Sequence, residues 1–124
     1  MKRDMDLIRE LLLFSEAHCD GISSHAVSIN NFKLAADHRQ LGAHIKLLEE
    51  QGLLTDGHAT FDSYGLGNLT WHGHEYLDAI RDPEIWRETK DVAKSAGGWG
   101  IEIFKEIAVG LIKSKVKSYT GLEL

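Results

Sequence analysis

Seven histidines and a lone cysteine are the residues of this 124-residue chain best suited to a transition-metal site. His18, Cys19 and His25 lie around a predicted turn and can approach one another, but no fourth ligand is evident. On a helix His72 and His74 would point about 200 degrees apart, so they share an ion only if the segment is extended. We therefore expect solvent-exposed or hydrogen-bonded histidines and no metal site.

The serines, acids and glycines form no catalytic pattern either. Ser23-Ser24-His25 does not reproduce a nucleophile elbow, and the scattered acidic residues give no paired-carboxylate signature. Gly65 and Gly67 are too close for a dinucleotide fingerprint and do not begin a helix. The sequence therefore predicts a non-enzymatic protein without a cofactor.

Polar residues early in one predicted helix are suited to reading DNA. Arg39 can bond guanine and Gln40 adenine, while His58, at a predicted hairpin tip, can reach a phosphate or the minor groove. The candidate DNA-binding residues are Lys33, His38, Arg39, Gln40 and His58. The alternative of ordinary solvated side chains stays open, because acidic residues near the same surface oppose phosphate: Asp37, Glu49, Glu50, Asp56 and Asp62.

Helical periodicity and capping residues predict the elements that position these candidates. Apolar residues gather on one face of residues 4–18, Asp20-Gly21 ends this helix, and the β-branched pattern of residues 22–32 favours a short strand. The strongest helical pattern, residues 36–51, has Asp37 as its N-cap and Gly52 at its C-cap position. The candidates at positions 38–40 therefore begin the second helix.

A hairpin and three further helices complete the prediction. Turn residues between Leu54 and Leu69 predict the hairpin, Thr70 caps a helix that stops before Pro83, and residues 97–100 separate two later helices. The tryptophans are expected to be packing anchors: Trp71, Trp86 and Trp99.

The last helix carries a wide apolar stripe flanked by lysines. Three uses are open: packing on its own domain, homodimerisation, or a basic surface for nucleic acid or another partner. The candidate dimer-interface residues are Phe104, Ile107, Ala108, Leu111 and Ile112.

The order helix, strand, helix, hairpin, helix resembles a winged helix with a weakened second helix. Residues 47–54, Leu-Leu-Glu-Glu-Gln-Gly-Leu-Leu, look like a recognition helix running into the wing. Leu69-Thr70-x-x-Gly73-x-x-x-Leu77 is similar to the exit from the wing, with a capping threonine and a close-packing glycine. The resemblance implies a mainly α fold with a small β-hairpin (α+β), in which residues 1–82 form a winged-helix-like domain and residues 83–124 a helical C-terminal extension.

Several segments also resemble domain-of-unknown-function family 2513, found in bacterial and prophage proteins. They are the opening residues 2–9, His44-Ile45-Lys46-Leu47-Leu48, Leu69-Thr70 and residues 73–81, followed by Trp86 and a terminal helical region. This resemblance implies the same fold and a phage-linked context, and it supplies no mechanism.

Charge and composition bound the function. The net charge is −5, and residues 1–82 hold seven Lys and Arg against 13 Asp and Glu, which repels phosphate at long range. The lone Cys19, the lack of a signal-peptide pattern and the lack of an apolar stretch of about 20 residues predict a cytoplasmic protein without a membrane span.

Two functions from different classes fit these patterns. The first is a phage-type transcriptional regulator that binds double-stranded DNA as a homodimer. The second is a protein-interaction module, such as a phage-encoded inhibitor of a host or defence protein, which binds no DNA. The winged-helix resemblance favours the first and the acidic charge favours the second, and we take the first as the leading hypothesis.

Overall fold

Five α-helices and a two-stranded antiparallel sheet make up the structure, a computed structural model that describes residues 1–58, 63–98 and 100–121. The helices are α1 (Met5–His18), α2 (His38–Glu50), α3 (Trp71–Ile80), α4 (Pro83–Ala96) and α5 (Ile101–Thr120). The strands are β1 (His25–Val27) and β2 (Tyr64–Leu66). The predicted class, mainly α with a small β element, is confirmed. Two predicted positions, Asp62 and Trp99, lie outside the described residues.

The chain divides into two compact units, Met1–His74 and Glu75–Leu124, and the division falls within α3. The predicted domains, residues 1–82 and 83–124, stay a prediction. None of the helices in the described ranges is long and apolar enough to cross a membrane.

The core of the first unit lies between α1 and α2. Helix α1 begins where the Asp4 carboxylate accepts hydrogen bonds from the backbone N–H groups of Asp6 (3.0 Å) and Leu7 (3.1 Å). Burial of each large apolar side chain contributes about 1.5–3 kcal/mol to the free energy of folding. Eight apolar side chains of the two helices are buried: Met5, Leu7, Ile8, Leu11, Leu12, Leu41, Ile45 and Leu48.

A polar turn joins α1 to β1. The Asp20 carboxylate accepts hydrogen bonds from the backbone N–H groups of Ser23 (2.6 Å) and Ile22 (2.8 Å), which hold the pKa of this carboxyl below its usual value. The Asn68 side chain accepts from the Gly21 N–H (2.8 Å) and donates to the Ser23 carbonyl (3.0 Å). Buried Asn68 therefore fixes this turn against a segment more than 40 residues away.

The strand predicted over residues 22–32 is shorter than expected. Within this segment only His25–Val27 form a strand, and this strand pairs with β2 so that His25 faces Leu66 and Val27 faces Tyr64. The Ser28 side chain then caps a 3₁₀ turn, Ile29–Asn31, through the Asn30 N–H (3.3 Å), and this capping ends the strand. The prediction of a strand beyond Val27 is therefore wrong.

The hairpin after α2 is confirmed, and glycines allow its two arms to lie close together. Leu54 and Leu69 form an antiparallel bridge, and the Thr55 N–H donates to the Asn68 carbonyl (2.9 Å). A Cβ atom at Gly57 would overlap the Gly65 carbonyl. The second arm of the hairpin contains β2, which also pairs with β1 on its other side. The sequence did not predict this pairing.

The exit from the hairpin into α3 confirms both predicted roles. The Thr70 hydroxyl accepts from the Gly73 N–H (3.0 Å) and donates to the Gly52 carbonyl. A Cβ atom at Gly73 would overlap the Leu53 carbonyl oxygen, so glycine allows the start of α3 to pack directly on the backbone after α2. Gly52 has a φ of 72°, the left-handed conformation expected after the end of α2.

In the second unit α4 and α5 pack against each other. Asp82 caps α4 through the Ile85 N–H (2.9 Å), and Gly97, with a φ of 76°, ends it as predicted. Trp86 is 5% exposed and its ring lies 5.4 Å from that of Phe104, so its role as a packing anchor is confirmed. The same prediction for Trp71 is wrong, because that side chain is 82% exposed.

The Gly73→Ala variant should lower the free energy of unfolding by about 1–3 kcal/mol, because α3 or the hairpin must shift to accommodate the methyl group. Gly110→Ala is the matched control, since a Cβ there meets open space in the middle of α5. It should raise stability by about 0.5–1 kcal/mol, because alanine is the better helix former. Denaturant unfolding followed by circular dichroism measures both, and equal effects would contradict the close approach at Gly73.

Candidate nucleic-acid interface

The first turn of α2 brings three of the five predicted DNA-binding residues together. His38 and Arg39 are exposed and Gln40 is half-buried. Asp37 is the N-cap as predicted, accepting from the Gln40 N–H (2.8 Å), while the Asp37 N–H donates to Gln40 Oε1 (2.9 Å). This capping box engages the Gln40 amide, whereas Arg39 forms no ion pair within the described part of the chain.

A buried imidazole fixes where that turn lies. His44 is 0% exposed, its Nε2 is 2.8 Å from the Asp4 backbone nitrogen and its Nδ1 is 2.7 Å from the Gln40 carbonyl oxygen. Because an amide N–H can only donate, Nε2 must accept, and Nδ1 therefore carries the proton that is donated to Gln40. His44 thus ties the exposed start of α2 to the N-cap of α1, and it confirms the expectation of a hydrogen-bonded histidine.

The hairpin lies along one side of α2. The rings of His38 and Tyr64 are 4.5 Å apart, and a Cβ atom at Gly42 would overlap the Tyr64 ring. Farther along the helix Glu49 Oε2 accepts from the Gly57 N–H (2.8 Å). A groove of about 310 Å³ lies between the helix and the hairpin, and Lys46 is one of its lining residues.

The other two predicted DNA-binding residues lie outside this helical turn. Lys33 is exposed in the segment before α2. His58 is exposed on the hairpin with a φ of 57°, and its Nδ1 is 3.9 Å from Asp56 Oδ1. The negative charge of Asp56 therefore lies beside His58 and opposes its contact with a phosphate.

Two residues of this surface were not singled out from the sequence. Lys46 is exposed and lies seven residues after Arg39, a spacing that places both on one helical face, so helical periodicity was sufficient to identify it. Tyr64 contacts α2 only because β2 returns beside it, and no local pattern signals that.

The charges on this surface nearly balance. Among the described residues three exposed cations, Lys33, Arg39 and Lys46, lie near three exposed anions, Asp37, Glu50 and Asp56, and the half-buried Glu49 adds a fourth negative charge. Long-range attraction to phosphate is therefore weak here, and any DNA contact must come from side chains directly at the helix face.

His18 and His25 contact each other and an aromatic ring, and Cys19 contacts a backbone carbonyl. His18 and His25 have ring centroids 5.5 Å apart, and the Phe14 ring lies 4.2 Å from that of His18. The Cys19 sulfur faces the Leu66 carbonyl oxygen (3.5 Å). Across residues 1–58, 63–98 and 100–121 no three His, Cys, Asp or Glu side chains could hold an ion together.

The five predicted dimer-interface residues differ in their accessibility. Phe104 and Ala108 are 0% exposed, and Phe104 packs on Trp86 of α4 in the same chain. Ile107, Leu111 and Ile112 are half-buried. The centre of the apolar stripe is thus covered within the chain itself.

Comparison with known proteins gives a family and a relative. The profile of a family described as "Hypothetical protein (DUF2513)" matches residues 2–99. A protein of Haemophilus influenzae, described as an uncharacterized protein, is 31% identical over 116 residues, which cover 90% of this chain and 96% of the relative. No solved structure matches the chain significantly.

Replacing His44 by alanine should lower the free energy of unfolding by about 2–4 kcal/mol, because it leaves a cavity and an unpaired Asp4 N–H. His74→Ala is the control on α3, and this exposed site should change stability by less than about 0.5 kcal/mol. Urea unfolding of both variants checks the difference. A His44→Ala variant as stable as the wild type would contradict the role given to this imidazole.

Proposed function

This chain belongs to the DUF2513 family, and we propose that it is a non-enzymatic protein that binds double-stranded DNA through the exposed face of α2 and the adjacent hairpin. The observation that carries the proposal is the solvent-exposed first turn of α2, which presents His38 and Arg39 beside a hairpin held against the same helix. The order α1, β1, α2, hairpin, α3 supports it, because winged-helix proteins place their recognition helix and wing in this order.

The dimensions of α2 suit a major groove. Its 13 residues give a length of about 20 Å, and a helix of about 10–12 Å diameter fits a groove about 12 Å wide. Arg39 near the N-terminal end is then the residue that reaches base edges, while Lys46, about 10 Å farther along the axis, is placed for a phosphate.

The Gln40 contact with adenine becomes a weaker part of the proposal. A bidentate pair needs both the oxygen and the nitrogen of the amide, and the oxygen already accepts from the Asp37 N–H. Base reading by Gln40 would therefore compete with the helix cap, so Arg39 carries most of the proposed specificity.

The region before α2 limits how much backbone contact the protein can make. In a standard helix-turn-helix the preceding helix crosses the DNA backbone. Here a 3₁₀ turn, Ile29–Asn31, stands in that place, with Asn30 and Lys33 exposed. With three cations near the surface, the logarithm of affinity should fall against the logarithm of salt concentration with a slope on the order of −3.

A protein-interaction module, such as a phage-encoded inhibitor of a host or defence protein, is the second candidate. Large apolar side chains of the first unit are strongly exposed, among them Trp71 at 82% and Ile22 at 89%. Tryptophan is enriched among the residues that dominate protein interfaces, and the acidic charge of residues 1–82 favours a protein over DNA.

Fluorescence anisotropy with a pool of duplex DNA fragments, including the region upstream of the coding sequence, tests the proposal across a salt series. We expect sequence-selective binding that Arg39→Glu weakens at least about tenfold, because a bidentate base contact contributes about 1–3 kcal/mol and the new carboxylate repels phosphate. Arg87→Glu makes the same charge change on an exposed site of α4 and should bind like the wild type.

Two results would contradict DNA binding at this surface. An equal loss of DNA affinity in the Arg39→Glu and Arg87→Glu variants would mean that binding depends only on the net charge of the protein. No binding of the wild type at low salt would exclude the first function, and a pull-down comparing wild type with Trp71→Ala would then test the second.

A further inference from the structure

One face of α5 carries a charge pattern that reverses about its own centre. Glu102 and Glu106 are exposed on the N-terminal half, and Lys113 and Lys117 are exposed on the C-terminal half. The pair Glu106 and Lys113 and the pair Glu102 and Lys117 share one midpoint, between Val109 and Gly110. By the helical period this face lies about half a turn away from the buried Phe104 and Ala108.

The chain itself does not account for the inner pair of charges. Within the described residues neither Glu106 nor Lys113 forms an ion pair, and neither has an opposite charge three or four residues away on the helix. Glu102 with Glu106, and Lys113 with Lys117, are instead like charges four residues apart, which destabilise an isolated helix. The helix dipole favours Glu102 and Lys117 near the ends, but it does not reach the middle of a 20-residue helix.

Gly110 gives a second, independent indication. Glycine in the middle of a helix is less favourable than alanine, and a Cβ at Gly110 would meet open space, so no described residue requires glycine there. Gly110 lines a shallow depression of about 390 Å³, which Glu106, Val109 and Lys113 also border. A glycine at the midpoint of a charge-reversing face allows another helix to approach closely.

We propose that this face of α5 binds the same face of a second copy of the chain, with the two helices antiparallel and a two-fold axis at Val109 and Gly110. Positions equidistant from the axis face each other, so each Glu106 meets the other copy's Lys113, and each Glu102 meets the other copy's Lys117. The two-fold symmetry doubles each contact, giving four ion pairs around the glycine crossing.

This interface differs from the apolar stripe of Phe104, Ile107, Ala108, Leu111 and Ile112, and it does not depend on DNA binding. One pair of helices buries less than about 1,200 Å², so the dimer is weak and exchanges rapidly. Its affinity falls with salt because the contacts are exposed ion pairs.

Sedimentation equilibrium of the full chain, up to about 1 mM protein at low salt, measures the association. Glu106→Lys and Lys113→Glu should each weaken dimerisation about tenfold or more, because each change turns two attractions into repulsions. The double variant restores opposite charges across the axis and should recover the wild-type constant within about threefold. Since the two sites are seven residues apart on one helix, this recovery requires contact between copies.

Two further variants separate a specific contact from a general effect. Glu50→Lys makes the same charge change on the exposed end of α2 and should leave the association constant unchanged. Gly110→Gln should keep or raise the helix content measured by circular dichroism while it weakens the dimer. A wild type that stays monomeric, or single variants that dimerise normally, would overturn the proposal. Failure of the double variant to recover association would overturn the antiparallel register.

Discussion

The hydrogen bonds of one buried histidine determine where the exposed face of α2 lies. His44 accepts from the Asp4 N–H and donates to the Gln40 carbonyl, so it joins the first residues of α1 and α2. Asp4 is also the N-cap of α1, and Gln40 completes the capping box of α2. The starts of α1 and α2 therefore both depend on the buried His44 imidazole. These buried hydrogen bonds position the exposed residues His38 and Arg39.

The capping signals of the sequence were local and were therefore predictable. Asp37 and Thr70 each accept a hydrogen bond from the backbone N–H three residues later, and Gly52 takes the left-handed conformation after α2, so the structure places all three as expected. The contact between His44 and Asp4 spans 40 residues, and no local sequence pattern near either residue predicts it. The pairing of β1 with β2 is non-local in the same way, and so the predicted hairpin received an unpredicted second neighbour.

The candidate site shows the same division between local and non-local information. His38 and Arg39 were placed correctly at the start of α2 because helical period and cap agree there, and the same period was sufficient to include Lys46. The packing of Tyr64 on His38 depends on where the hairpin returns, and the exposure of Trp71 depends on what the rest of the chain leaves uncovered. Residue type alone predicted burial for that tryptophan. The charges around α2 nearly cancel, so the residues there add little long-range attraction for phosphate.

Titration of the ¹⁵N-labelled protein with its selected duplex, followed by amide chemical shifts, tests most directly whether α2 and the hairpin form the DNA-binding surface. DNA binding at this surface predicts that the largest shifts fall on residues 38–40, on Lys46 and on Tyr64, while the amides of α4 move little. Shifts concentrated around Trp71 or along α5, with residues 38–40 unchanged, would contradict it.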